Sequence, residues 1–326
     1  MLDYHPKVSI NIPTYNQPEY LVKAIESVLS QGYENIEVNV GDDSDNKDSE
    51  DIVKERFRNE VNYYHHNPSL GRVGNYRFLL NKSSGEWALN LDGDDFLIDD
   101  TFVEKAVKAL SSEPNAVMLG AKYWKYVNGE MIKAGMSGVD IEESKLLVLD
   151  GFPDWFEHFG RYETGHLTTL YKADVAKKIG FYEKDIITAD SESVLRLALH
   201  GKVLFLNDIV AAWRQHGTNA SRKSSLEEFY KGYEINDLVM REAVELGYAG
   251  GVMNKWKETM DIRYALRILE QVILSRRPQE LVRYVKVLNR RKINWSKYLV
   301  SFLSRTKQVL ARKIRSRSRR SHLVNL

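Results

Sequence analysis

The chain has no cysteine among its 326 residues. Disulfide staples, thiolate metal sites and a cysteine nucleophile are therefore excluded. It also has no apolar run of about 18 residues, so no segment reads as a membrane-spanning helix. The opening Met1-Leu2-Asp3-Tyr4-His5-Pro6-Lys7 has neither the basic nor the apolar region of a signal peptide, and a cytoplasmic setting is expected. Two phosphate-binding signatures are missing. No G-x-G-x-x-G follows the first apolar run, and Gly71-Arg72-Val73-Gly74 is not completed by Lys and Ser or Thr. Acidic residues stop at Glu280, after which 14 Lys and Arg follow, ending in Arg312-Lys313-Ile314-Arg315-Ser316-Arg317-Ser318-Arg319-Arg320. Residues 1–280 thus hold 33 bases against all 45 acids, a net of −12 beneath an overall +2. An acidic body with a basic tail implies an anionic partner for the tail alone. Those bases sit in one terminal segment and are not interleaved with aromatics on a sheet, so no nucleic-acid partner is expected.

What is present is a repeated alternation of strand and helix. Val8–Ile12 is a short apolar strand, and Glu19–Gln31 carries Leu21, Ala24, Ile25, Val28 and Leu29 at helical spacing. Ile36–Val40, Val61–His65 and Trp87–Leu91 read as further strands, with helices at Ser49–Arg58 and Gly71–Asn81 between them. Repeated units of this kind predict an α/β fold: a mostly parallel, Rossmann-like sheet with helices on both faces. Lys122–Phe159 reads as irregular and aromatic, Thr188–Leu199 as a helix, and the chain beyond Arg222 as helical. A domain of residues 1–221 followed by a helical appendage of residues 222–326 is expected.

The Trp87–Leu91 run delivers Asp92-Gly93-Asp94-Asp95 to the point where a strand should end. Clustered carboxylates repel, and they are costly unless a cation or water neutralises them. Hard oxygen donors suit Mg²⁺ or Mn²⁺ better than zinc, commonly through one or two carboxylates plus substrate phosphates. A solvated acidic turn is the plain alternative. Ligands of such sheets sit beyond the carboxyl ends of the strands. Two more polar clusters lie there, Pro13-Thr14-Tyr15-Asn16 and Asp42-Asp43-Ser44.

With these clusters in view, residues 7–221 resemble glycosyltransferase family 2, enzymes of the nucleotide-sugar-binding GT-A fold. Lys7 to Asn16 resembles the opening strand and nucleotide loop, Gly41-Asp42-Asp43-Ser44-Asp45 the second-strand acidic motif, and Leu91-Asp92-Gly93-Asp94-Asp95 the metal-binding D-x-D. Ala189-Asp190-Ser191-Glu192 through His200-Gly201 resembles the segment carrying the catalytic acid group, with Ala189 where Glu is usual. The resemblance implies a metal-dependent, inverting transferase using a nucleotide sugar, by default a UDP-sugar, with Mn²⁺ or Mg²⁺. It implies a saccharide, lipid-linked glycan or glycoprotein acceptor. Asp190 aligns with the base, and Glu192 competes for that role; N-capping is the structural alternative for Asp190. Pro13, Thr14, Tyr15 and Asn16 would hold the nucleotide, Tyr15 offering a flat face and Asp43 accepting from uracil or ribose. Asp94 is the expected direct metal ligand, Asp92 serves ribose or metal waters beside Gly93, and Asp95 supports. Arg72, Asn75 and Arg77 are candidates for the diphosphate or donor sugar, although surface helix charges explain the arginines equally well. In Ala212-Trp213-Arg214-Gln215-His216 the resemblance offers His216 to the metal and Arg214 to the diphosphate, against a merely solvated loop histidine. His65, His66, His158 and His166 have no such context, though His166 follows Gly165 on the expected acceptor side.

Two rival classes remain at this point. A nucleotidyltransferase would need a Gly-rich, basic loop after strand one, which Pro13-Thr14-Tyr15-Asn16-Gln17-Pro18 is not. A basic-tailed scaffold protein would owe everything to the carboxyl terminus. There, Tyr298, Leu299, Phe302, Leu303, Val309, Leu310 and Ile314 alternate with Lys and Arg. Such a helix fits an anionic membrane surface, as a peripheral contact at the inner face of the cell membrane. Packing on the body or on a sister subunit of a homo-oligomer is the alternative.

Overall fold

A computed structural model describes residues 4–137, 146–159, 165–219, 225–275 and 277–303. The chain divides into two compact units, with the change between Asn219 and Ser225. The expected boundary at 221/222 lies outside the described residues.

The first unit runs β1 (Val8–Thr14), α1 (Pro18–Leu29), β2 (Ile36–Asp42), α2 (Asp48–Arg56), β3 (Asn62–His65), α3 (Gly71–Lys82), β4 (Trp87–Asn90), β5 (Phe96–Leu97) and α4 (Phe102–Ser111). It continues with β6 (Ala116–Val127), β7 (Glu130–Ser137), β8 (Leu146–Leu149), α5 (Phe152–Phe159), β9 (Leu170–Lys172), α6 (Ala173–Ile179), α7 (Ala189–Leu197) and β10 (Lys202–Gln215). The sheet order is β3-β2-β1-β4-β9-β6-β10-β5, with β7 on β6 and β8 on β10. Strands β3, β2, β1 and β4 are mutually parallel, as are β6 and β10; β9 joins the two groups antiparallel.

Helix α1 shows how the sequence produces this layer. Pro18 occupies its first turn, where a missing N–H costs nothing. Leu21, Ala24, Ile25 and Val28 then share one face and are buried on the sheet. Burying each of the larger three is worth about 1.5–3 kcal/mol. All seven residues of β1 are buried, as a strand with parallel neighbours on both sides requires.

Among the buried polar residues of the strands are three asparagines in line. Asn39, Asn11 and Asn90 are directly opposite one another on β2, β1 and β4, and all are fully buried. Asn62 of β3 extends the row by one strand.

The segment expected to be irregular, Lys122–Phe159, instead holds the second half of β6, then β7, β8 and α5. Tyr123, Trp124 and Tyr126 are all half-buried, so the strand shows no clean alternation of apolar and polar residues. Phe152, Trp155 and Phe156 are core.

The second unit contains α8 (Leu226–Glu245), α9 (Gly250–Ser275) and α10 (Pro278–Arg290), packed around Tyr233, Ile268, Tyr284, Leu288 and Tyr298. Tyr298, expected on an exposed amphipathic face, is buried and pairs with the Tyr284 hydroxyl at 2.8 Å. Val309, Leu310 and Ile314 lie outside the described residues. Among the described residues no helix is long and apolar enough to cross a membrane.

Candidate active site

The carboxyl ends of β1, β2 and β4 open on a cavity of about 720 Å³, completed by the start of α3, the Gly165–Leu167 turn, the start of α7 and the end of β10. Pro13, Thr14, Tyr15, Asp43, Arg72, Asn75, Asp92, Gly93, Asp94, Asp95 and Asp190 all line it. A larger hollow of about 930 Å³ opens near the other ends of β1 and β4, among Tyr33, Trp87 and Lys172. Glu86 there takes Tyr4 Oη and Lys172 Nζ, each at 2.7 Å.

The acidic turn is held close to β1. Gly93 N–H donates to Pro13 O at 2.9 Å, and a Cβ at Gly93 would come within 2.9 Å of Thr14 Oγ1 and 3.1 Å of Pro13 O. Asp92, Asp94 and Asp95 thereby bring one carboxylate oxygen each to within 4.8 Å of one another. Asp92 accepts from the Tyr76 hydroxyl at 2.7 Å; burial, followed by the charge of Asp94, pushes its carboxyl up to about 7. Burial and the charges of Asp94 and Asp92 push Asp95 well above the carboxylate range, although it accepts the Arg214 N–H at 2.8 Å. Asp94 Oδ2 meets His216 Nε2 at 2.7 Å and Asn219 Nδ2 at 3.3 Å. The turn holds more negative charge than the chain compensates. Three carboxylates beside an imidazole form a donor set that fits a hard divalent cation such as Mg²⁺ or Mn²⁺.

The loop after β1 is built to face this turn. Tyr15 is 54% exposed, which leaves its ring face available, and its hydroxyl donates to Asp45 Oδ2 at 3.0 Å. Thr14 Oγ1 is buried without a hydrogen-bond partner among the described residues. Asp43 accepts Leu70 N–H at 3.0 Å, which fixes the entry to α3. Gly71 makes that entry possible with φ of +72°. Arg72 lines the cavity, donating to Ile186 O at 2.6 Å.

Several expected contacts are directed elsewhere. Asn16 is outside the lining; its N–H donates to Ser44 Oγ at 2.7 Å and its side chain binds the Asp45 loop, at a φ of +51°. Asn75 spends its amide on Gly41 O at 2.8 Å and His66 Nε2 at 3.2 Å, tying α3 to β2. Arg77 donates to Tyr182 O at 2.6 Å and Glu183 O at 2.8 Å. Arg214 is also outside the lining. Its Nε donates to Asp94 O at 2.7 Å, and its guanidinium packs over the rings of Tyr20, Phe96 and Tyr126. It clasps the end of β10 onto the acidic turn.

The two carboxylates of α7 are in different environments. Asp190 lines the cavity and accepts no hydrogen bond among the described residues, so it is not consumed as a cap. Glu192 is fully buried and bound to Arg196 Nη1 at 2.6 Å; burial raises its carboxyl above the ordinary range.

Sequence reasoning missed Tyr76, Trp213 and Asn219, and noted His166 only for following Gly165; all four line the cavity. Trp213 and Asn219 flank His216 and were within reach of the same motif. Tyr76 carries no local signal, because its role depends on partners far away in sequence.

The comparisons agree with this geometry. The family model described as glycosyl transferase family 2 matches residues 9–179. The GalNAc(5)-diNAcBac-PP-undecaprenol beta-1,3-glucosyltransferase of Campylobacter jejuni is 33% identical over 107 residues, covering 31% of this chain and 35% of that protein. The Escherichia coli UDP-Glc:alpha-D-GlcNAc-diphosphoundecaprenol beta-1,3-glucosyltransferase WfaP is 33% identical over 91 residues, covering 28% and 36%. These matches span about a third of each relative. S. aureus TarS 1–349 in complex with UDP shares the fold at a TM-score of 0.67 and 17% identity, over 86% of this chain and 79% of that one. The mannosyltransferase PcManGT from Pyrobaculum calidifontis, in complex with GDP-Man and Mn²⁺, does so at 0.54 and 13%, over 91% and 86%. With a GT-A sheet, an acidic turn at the end of β4 and a family match over more than half its length, this chain belongs to glycosyl transferase family 2.

Proposed function

We propose that the chain is an inverting, metal-dependent glycosyltransferase that moves a sugar from a UDP-sugar to a hydroxyl of a saccharide or lipid-linked glycan. The observation that carries this reading is the convergence of the post-β1 loop, Asp43, the three-carboxylate turn and Asp190, which has no hydrogen-bond partner among the described residues, on one cavity. TarS structures with UDP and with UDP-GlcNAc, and a relative named for UDP-Glc, support the choice of base. Two relatives named for undecaprenol-diphosphate-linked substrates support the acceptor class.

Tyr15 stacks on the base, and Thr14 and Asp43 hydrogen-bond it or the ribose. Asp94 and His216 would hold the cation, with Asp92 and Asp95 supporting. A bound divalent cation supplies charge neutralisation for the departing diphosphate. Asp190 takes the proton of the acceptor hydroxyl as that oxygen bonds to the anomeric carbon; the bond to the diphosphate oxygen breaks on the opposite face, and nucleoside diphosphate leaves. One base and one displacement give inversion. Arg72 is positively charged beside Asp92 and Asp190 and steadies the diphosphate end.

The carboxyl-terminal segment makes the peripheral membrane contact. Exposed Leu299, Val300, Phe302 and Leu303, together with the acid-free run after Glu280, support this. The test of the whole reading is transfer from UDP-glucose and UDP-GlcNAc with Mn²⁺ and an undecaprenol-diphosphate saccharide. A β-linked product from an α-linked donor is expected. An α-linked product, or turnover unaffected by a chelator, would contradict it.

A further inference from the structure

The buried asparagine row has a direction, and the direction ends in the active-site cavity. Glu37 is its origin. Burial alone would raise the Glu37 carboxyl, but the Ser84 N–H at 2.9 Å and the hydroxyls of Ser84 at 2.6 Å and Ser9 at 2.7 Å hold it at about 2. An ionised carboxylate can only accept. The Asn39 amide must therefore present its NH₂ to Glu37, at 3.1 Å, and its oxygen to Asn62, at 3.0 Å. The same NH₂ donates to Asn11 Oδ1 at 3.2 Å, which also accepts Ser83 Oγ at 3.0 Å. Asn11 then presents Nδ2 to Asn90 Oδ1 at 3.3 Å, where Tyr171 Oη donates as well at 2.9 Å. Asn90 has only its NH₂ left for the Tyr182 oxygen.

Tyr182 Oη consequently accepts from Asn90 and has one proton to give. Tyr171 Oη, its neighbour, is already spent as a donor to Asn90 Oδ1, and among the described residues the acceptor at hydrogen-bond distance is His166 Nε2 at 2.6 Å. His166 Nε2 is thus unprotonated, and the neutral ring carries its proton on Nδ1. That nitrogen has no hydrogen-bond partner among the described residues, and His166 lines the cavity. Burial lowers the imidazole to about 4, so the ring stays neutral across the physiological range. The ring packs edge-on against Tyr76, centroid to centroid 5.3 Å, and Tyr76 in turn holds Asp92. His166 therefore lies beside the acidic turn and lines the same cavity as Asp190.

We infer that the Glu37-anchored ladder fixes His166 as its Nδ1–H tautomer, making His166 a sugar-binding residue that donates from Nδ1 to an oxygen of the donor sugar. The inference rests on the reading of the cavity as a nucleotide-sugar site. Glu37, Asn39, Asn11, Asn90 and Tyr182 are positioning residues in it.

Two measurements test it. Long-range ¹H–¹⁵N correlation on the whole chain at neutral pH, with His166→Gln supplying the assignment, should give a pyridine-type resonance for Nε2 and a pyrrole-type one for Nδ1. The reverse pattern overturns the proposal without any substrate. With Mn²⁺ present, His166→Phe should leave the inhibition constant of UDP unchanged and raise KM for UDP-GlcNAc hydrolysis about 3- to 10-fold, the scale of one neutral hydrogen bond. His166→Gln, which retains an N–H donor, should recover most of that. Equal changes in UDP and UDP-GlcNAc binding, or none, would overturn the role. Failure of UDP to bind the native chain with Mn²⁺ would instead sink the nucleotide-sugar reading itself.

Discussion

Exchanging the two carboxylates of α7 for their amides, one at a time, separates chemistry from architecture. Asp190→Asn is nearly isosteric and removes no hydrogen bond seen among the described residues, so stability should stay within about 0.5 kcal/mol of the native chain. The amide cannot take a proton, and turnover should fall about 10²-fold or more at unchanged donor affinity. Glu192→Gln is the opposite case. It keeps an amide oxygen that can accept from Arg196 but removes the charge opposite a guanidinium only 7% exposed. Removing one partner of a buried ion pair outright typically costs about 3–5 kcal/mol. Here the hydrogen bond can persist and Arg196 keeps Glu183 at 3.3 Å and the Gly180 and Ile179 carbonyls, so a smaller cost, roughly 2–3 kcal/mol, is expected. For a unit of this size that lowers the melting temperature by about 5–10 °C. Turnover measured well below that temperature should stay within a few-fold. Thermal melts and donor turnover on both variants give a crossed result. If Asp190→Asn stays active while Glu192→Gln melts normally and loses turnover, Glu192 is the base and the assignment is wrong.

Three other outcomes follow from the same geometry. Gly93→Ala forces the acidic turn away from Pro13 O and Thr14; calorimetry should show a cost of about 1–3 kcal/mol and UDP affinity with Mn²⁺ should fall more than about 10-fold, whereas unchanged affinity would deny the close approach a role. His166 is depressed from 6.5 to about 4, so its contribution to stability is intact above 6.5 and is lost as pH falls toward 4, by about 1.4 kcal/mol per unit; the difference between native and His166→Gln denaturation curves should show that slope, and a flat difference would refute the burial. Truncation before Arg305 should reduce binding to anionic liposomes, most visibly at low salt, and spare donor hydrolysis; equal binding would remove the membrane contact, and a changed oligomer mass would favour a subunit contact.

The first four strands and their helices were legible because each apolar run is bounded by turn residues and the helical faces repeat cleanly, as Leu21, Ala24, Ile25 and Val28 do. The position of the acidic turn followed from the same alternation, since a polar cluster after a buried strand can only lie at the sheet's carboxyl edge. Residue type gave less than topology. Arg77 and Arg214 had the charge for a diphosphate, but their reach let them take backbone carbonyls of Tyr182, Glu183 and Asp94, more than a hundred positions away in sequence. The asparagine row was written in Ile10-Asn11-Ile12, Val38-Asn39-Val40 and Leu89-Asn90-Leu91, each a polar residue between two aliphatics. Its meaning needed the register that aligns the three strands. Strand β6 stayed hidden because Tyr123, Trp124 and Tyr126 blur the alternation that marks a half-buried strand, while β7 (Glu130-Met131-Ile132-Lys133-Ala134-Gly135-Met136-Ser137) and the four-residue apolar β8 carry no clean alternation of their own.

On the proposed reading the Asp92–Asp94–Asp95 turn binds a divalent cation together with the diphosphate of a nucleotide. Titration calorimetry of UDP into the native chain and Asp94→Ala, each with and without Mn²⁺, reads that coupling. Mn²⁺ should strengthen UDP binding to the native chain by about 10-fold or more, on the order of 1.4 kcal/mol, and have no such effect on a folded Asp94→Ala. Mn²⁺ enhancement of the same size in both proteins would contradict it.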